Sequence, residues 1–208
     1  MAEMSVLVAY ASKHGSTELI ADAIGDALRR AGHDVDVRPV SDVRDLTRYG
    51  AAVVGSALYI GRWQGDALRF LRRHEASLAG MPVWFFSSGP LDDSAETAQL
   101  PAPKAVAEIA ARIGAGGHAT FGGHLAPDAS GFVEHLMIRG GRTGAWRNFE
   151  RIEMWADAVA AKLALQLRAR SWSQAVKPRP VATAAQESSS RAFCTNRRPE
   201  AIRQAATV

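Results

Sequence analysis

Short apolar runs alternate along the chain with longer stretches in which apolar residues return every three or four positions. That alternation is the signature of βαβ units, where a buried parallel strand is followed by an amphipathic helix that crosses back over the sheet. The first run, residues 5–10, predicts a strand. A helix is predicted over 16–31, with Leu19, Ile20, Ala23, Ile24, Ala27 and Leu28 on one stripe. Glu18 and Asp22 stand early in it and Arg29 and Arg30 late, as the helix dipole favours, and Gly32 supplies a stop.

The same reading continues to the end of the chain. Residues 34–38 alternate like a short edge strand, 51–55 form a buried third strand, and 65–74 a helix turning Leu68 and Leu71 inward. Residues 82–87 predict a fourth strand. A polar loop with Pro90, Asp92, Asp93 and Pro101 leads to a helix over 104–113, then a glycine-weakened fifth strand over 118–125. Residues 126–148 give no clear period, with Gly140, Gly141 and Gly144 breaking an apolar turn at 132–138. A last helix is predicted over 149–168, carrying Ile152, Trp155, Val159 and Leu163. From Ser171 the Ala, Ser, Pro, Gln and Arg content rises and periodicity is lost, so 1–170 is expected to be the folded domain and 171–208 a disordered basic tail.

Composition narrows the class. An apolar content of 47% allows an ordinary core, and no apolar run is long enough to span a bilayer, so at most peripheral membrane contact is expected. The N-terminus lacks the basic segment, apolar stretch and cleavage site of a secretory leader, and a single cysteine, Cys194, leaves no internal disulfide or thiolate metal cluster. A reducing, cytoplasmic setting is the expectation. The formal charge of +4 lies wholly in the tail, where six basic residues face two acidic ones. The balanced body gives no footprint for nucleic acid.

Ligands of an open parallel sheet bind beyond the carboxyl ends of the strands, where the strand order reverses. After the first strand stands Ser12-Lys13-His14-Gly15-Ser16-Thr17. Three hydroxyls and a glycine at a helix start can offer side-chain donors and backbone N–H groups to a phosphate. Neither a Walker loop nor a dinucleotide fingerprint follows that strand; the Gly114–Ala119 match to Gly-x-Gly-x-x-Ala precedes a strand and is discounted. After the third strand come Ser56, Ala57, Leu58, Tyr59, Ile60, Gly61, Arg62 and Trp63, where Tyr59 or Trp63 offers a face to a flat heteroaromatic ring. After the fourth come Ser87, Ser88, Gly89, Pro90 and Leu91, small residues with accessible amides.

Ala-Tyr-Ala-Ser-Lys-His-Gly-Ser-Thr, Gly-Ser-Ala-Leu-Tyr-Ile-Gly and Phe-Phe-Ser-Ser-Gly-Pro, on successive strand ends, resemble the loops of flavodoxin-like FMN domains over roughly residues 5–167. The resemblance implies a three-layer αβα fold with a doubly wound, five-stranded parallel sheet in the order 2-1-3-4-5. It implies one FMN, its phosphate held by Ser12, Lys13, His14, Gly15, Ser16 and Thr17. Its ring would be flanked by Ser56, Ala57, Leu58, Tyr59, Ile60 and Gly61, and by Ser87, Ser88, Gly89, Pro90 and Leu91. Within the family the chain is most similar to the flavodoxin-type menaquinone-dependent protoporphyrinogen oxidases, through the same Gly55–Gly61 stretch, Phe70–His74, Met81-Pro82, Met137 with Gly140-Gly141, and Trp155. Segment 126–148 departs from that enzyme in being shorter and less basic.

The resemblance therefore predicts an FMN oxidoreductase, with a quinone or protein electron acceptor and a small-molecule reductant, a porphyrinogen among them. Phe132, Leu136, Met137 and Trp146 offer an apolar face for such a substrate, with Arg139, Arg142 and Arg147 as cations for its carboxylates. No general acid or base is assigned; His14 and His124 stand at strand ends without a partner in the pattern. The alternative is an electron carrier without a substrate of its own, which the charge-balanced body and Lys13, His14 and Arg62 in the candidate loops disfavour. A phosphorelay receiver is excluded, since its Mg²⁺ needs carboxylates where Tyr10-Ala11-Ser12 and Gly55-Ser56-Ala57 stand.

Overall fold

A computed structural model of the 208-residue chain describes residues 5–13, 15–89, 100–125, 144–145 and 148–175. The chain divides into two units, Met1–Arg170 and Ser171–Val208, and the sheet lies in the first. Five parallel strands form it: β1 (Ser5–Ala11), β2 (Val35–Pro39), β3 (Tyr49–Tyr59), β5 (Val83–Ser88) and β6 (His118–Phe121). Their order is β2-β1-β3-β5-β6, with the two-residue β4 (Arg62–Trp63) folded back on the end of β3. Setting β4 aside, this is the expected 2-1-3-4-5 order.

The alternation of side chains across the pleat divides the core in two. Leu7, Ala9, Ala52, Val54, Val83 and Phe85 face α2 (Gly65–Arg73), α3 (Glu75–Ala79) and α4 (Lys104–Ile113). Val6, Val8, Val53, Trp84 and Phe86 face α1 (Ser16–Arg30) and α5 (Phe149–Ala175). Burying strands on both faces is what makes their sequences read as unbroken apolar runs. Helix α1 ends as its sequence predicts: Gly32 adopts φ +90°, and the His33 N–H returns to the Leu28 carbonyl. Leu19, placed on the buried stripe by periodicity, is instead 48% exposed, because it lies at the edge of the face that Ile20, Ile24 and Leu28 bury.

Several boundaries move. β3 does not end at Gly55 but continues to Tyr59, so residues expected to be loop are paired strand. The expected fifth strand breaks at Gly122-Gly123, and His124–Leu125 (β7) pairs antiparallel with Gly144–Ala145 (β8). Helix α3 was not foreseen in the polar connection after Arg73. Helix α5 runs to Ala175, beyond the expected end at Arg168. The rest of the tail, and most of segment 126–148 with Arg139 and Arg142, lies outside the described residues. No described helix is long and apolar enough to cross a membrane, and no described cluster of His, Cys, Asp or Glu has metal-binding geometry.

Candidate functional site

The chain order reverses between β1 and β3, the switch point at which open α/β sheets place their ligand crevice. On one side of it α1 begins. Gly15, at φ +75°, is the N-cap, and no side chain caps the helix. Ser16 lies already within the first turn. A glycine in this left-handed conformation aims successive N–H groups outward, leaving the positive end of the helix open to an anion.

Thr17 carries the clearest chemical signal in the loop. Its side chain is fully buried, and its Oγ1 has no hydrogen-bond partner among the described residues. A buried hydroxyl left unbonded costs about 1–3 kcal/mol, so its retention at a helix N-terminus fits a phosphate oxygen as its missing partner. Ser12, earlier in the same loop, is half-buried, and Ser16 Oγ lies 3.4 Å from Ser88 Oγ, joining the loop to the end of β5. Tyr10 donates from its hydroxyl to Glu18 Oε1 at 2.7 Å. Burial and that carboxylate raise the Tyr10 hydroxyl above its ordinary value, so it stays a donor. His14, Pro90 and Leu91 lie outside the described residues.

The opposite wall is a hairpin. β3 turns back into β4 through Ile60 and Gly61, at φ +50° and +69°, between the paired residues Tyr59 and Arg62. Two central residues with positive φ make a type I′ turn, which suits the twist of a hairpin but normally selects Asn or Gly at its first position. Here a β-branched residue occupies it, 80% exposed. Lys13 Nζ stands 5.1 Å from the centre of the Tyr59 ring, so the two loops meet across a cation–π contact at the mouth of the crevice. On the third side Gly89 adopts φ +117°, and a Cβ there would come within 3.2 Å of Leu58 Cβ. Only glycine lets the two chain segments approach this closely.

Trp63 is not a stacking face. It is 4% exposed, packs edge-on against Phe85 with centroids 5.7 Å apart, and donates from Nε1 to Ser87 Oγ at 2.8 Å. The hairpin turns it into the core, because alternation across β4 sends Arg62 out and Trp63 in. Of the two aromatic candidates only Tyr59 remains at the crevice. Ser56 and Ser87 are fully buried with their hydroxyls engaged within the protein. Ser56 Oγ donates to the Ala57 carbonyl and accepts the Gln64 N–H, both at 3.1 Å. Gln64 also donates from Nε2 to the Ala11 carbonyl at 3.2 Å, tying the hairpin to the end of β1. Periodicity gives no reason to single out Gln64; the signal lies in the fold.

Strain at Ile60 leads to a first expected result. A left-handed conformation costs an L-residue about 1–2 kcal/mol, least for Asn and Gly. Ile60→Asn should therefore raise stability by about 1 kcal/mol, shifting the urea midpoint upward with an unchanged slope. A lowered midpoint would mean that the exposed isoleucine makes packing contacts worth more than its strain.

Fold and site together define a doubly wound α/β protein with a hydroxyl-rich first loop at an uncapped helix start and Tyr59 facing it from the neighbouring hairpin. The chain belongs to the flavodoxin domain family, whose profile matches residues 7–144. It is 31% identical to the NAD(P)H dehydrogenase (quinone) of Afipia carboxidovorans, over 32% of this chain and 44% of that protein. It is 26% identical to the protoporphyrinogen IX dehydrogenase [quinone] of Escherichia coli, over 40% of this chain and 48% of the other. The chain thus spans less than half the length of these curated relatives. Among solved structures, a flavodoxin from the domain Archaea superposes with a TM-score of 0.54 at 20% identity, covering 77% of this chain and 99% of its own. The rubredoxin oxygen:oxidoreductase of Desulfovibrio gigas also superposes at 0.54, with 16% identity, over 78% of this chain and 37% of its own.

Proposed function

We propose that this chain binds one FMN in the crevice and works as an oxidoreductase with a quinone acceptor. The observation that carries the reading is the buried, unpartnered Thr17 hydroxyl at the uncapped start of α1. Ser12, Thr17 and the first-turn N–H groups would hold the phosphate. Tyr59, Ile60 and Gly61 on one side, with Ser88 and Gly89 on the other, would flank the ring. FMN, when bound, supplies the electron-transfer chemistry; the protein positions it and sets its electrostatics. Lys13 adds a cation beside Tyr59, and the hairpin shields one edge of the crevice from water.

The two curated relatives act on quinones by name, which supports a quinone acceptor here, and one of them favours a porphyrinogen as the reductant. The test begins with the purified protein: a two-band yellow absorbance is expected, and heat should release FMN. Recovery of FAD, or no flavin after reconstitution, counts against the reading. Turnover of a quinone with protoporphyrinogen is then the expected activity. Electron transfer to a protein acceptor with no quinone turnover would favour a carrier instead.

A further inference from the structure

The hairpin that walls the crevice is held from behind by a chain of three side chains on three strands, buried at Trp63 and Ser87 and partly buried at His118. Trp63 Nε1 donates to Ser87 Oγ at 2.8 Å, and Ser87 Oγ lies 2.8 Å from His118 Nε2. The indole can only donate. Ser87 must therefore accept from it, and among the described residues the Ser87 hydroxyl has no acceptor other than His118 Nε2. Its own proton is left for His118 Nε2, which requires that nitrogen to be unprotonated. The chain thus has a fixed polarity, from β4 through β5 to β6.

We infer that His118 is a positioning residue, which through Ser87 and Trp63 holds the Tyr59–Arg62 turn in place against the bound ligand. This rests on the flavin reading of the crevice but adds a residue that lies at the opposite end of β6 from the candidate ligand loops. The mechanical route is short. Trp63 stands opposite Leu58 in the hairpin, and Tyr59 opposite Arg62, so losing the indole's anchor frees the turn directly. Gln64 still ties the base of the hairpin to Ala11, so the rest of the fold is held independently.

The same polarity makes the anchor sensitive to protons. Burial alone pushes His118 down to about 4, with no charged group contributing. Above that value the imidazole accepts from Ser87. Once protonated it can only donate, and Ser87 loses the partner for its hydroxyl proton. A histidine whose folded value lies below its unfolded one contributes stability at neutral pH that is lost as the pH falls from about 6.5 toward 4.

The test measures FMN affinity of the full chain for wild type, His118→Phe, Ser87→Ala and His118→Gln. Loss of the acceptor in His118→Phe is expected to weaken FMN binding roughly fivefold to tenfold, about one hydrogen bond's worth. His118→Gln, which keeps an accepting oxygen, should restore it. As the pH falls through about 4, where the folded His118 takes up its proton, the wild type should lose affinity relative to His118→Gln, the ligand's own titration being common to both. Phe and Ala variants that melt earlier yet bind FMN within twofold of wild type would overturn the inference and leave His118 a stability residue. If the wild type binds no FMN, the flavin reading fails separately. The anchor is then judged by amide hydrogen exchange at residues 57–64, which must speed up in His118→Phe for it to stand.

Discussion

Replacing Gly55 by alanine is expected to remove about 3 kcal/mol or more of folding stability, at the upper end of what overpacking costs. Gly55 sits in the central strand β3 directly opposite Phe86 of β5. A Cβ there would meet three atoms of the Phe86 ring at 2.1, 2.2 and 2.4 Å, separations that real side chains do not show. Phe86 is fully buried, its ring 6.5 Å from that of Phe121, so it has little room to yield. Close packing inside the core converts the clash into backbone displacement. Urea melts of Gly55→Ala, Phe86→Leu and the double variant check this. Shortening the opposing side chain should recover part of the loss, giving a favourable coupling in the double-mutant cycle. A single variant within 0.5 kcal/mol of wild type would show that the ring has another place to go.

The second large effect is on ligand affinity. Thr17→Val with Ser12→Ala removes two hydroxyls from the first loop, each worth about 1.5–3 kcal/mol toward a charged phosphate. Together they should raise the FMN dissociation constant by roughly 10²- to 10⁴-fold. Thr17→Val also has an opposite effect on the empty protein. It is close in shape and deletes a buried hydroxyl that has no partner, so without ligand the variant should be as stable as wild type or more so. That opposition separates a ligand role from a structural one. Weaker FMN binding together with a lower melting temperature in the absence of flavin would mean that the hydroxyl supports the fold. An unchanged dissociation constant, with the circular dichroism spectrum also unchanged, would place the phosphate elsewhere.

The sequence alone treats the residues behind these two effects differently. The hydroxyl-rich loop from Ser12 to Thr17 was legible because its chemistry is local: a strand, a glycine and a helix start within a few residues. The strand and helix order, the helix stop at Gly32 and the two-faced core were legible for the same reason. Periods of two and of three to four residues report burial without reference to any distant partner.

Tertiary structure decided the other wall of the crevice. No local propensity places a β-branched residue in a left-handed turn, so Ser56–Tyr59 read as loop when it is strand, and the reversal at Ile60-Gly61 stayed hidden. The direction of Trp63 depended on that reversal, since moving one residue along a strand exchanges core and solvent. His118 and Ser87, 31 residues apart, meet because β5 and β6 pair in one particular register, and Gln64 reaches Ala11 across 53 residues because β3 lies beside β1. The sequence by itself determined the order of the main strands and helices and the hydroxyl-rich, glycine-led start of the first helix. Which side chains converge on that place was decided by sheet register, because hydrogen-bonded pairing between distant segments is a property of the assembled sheet and leaves no periodic trace in any one of them.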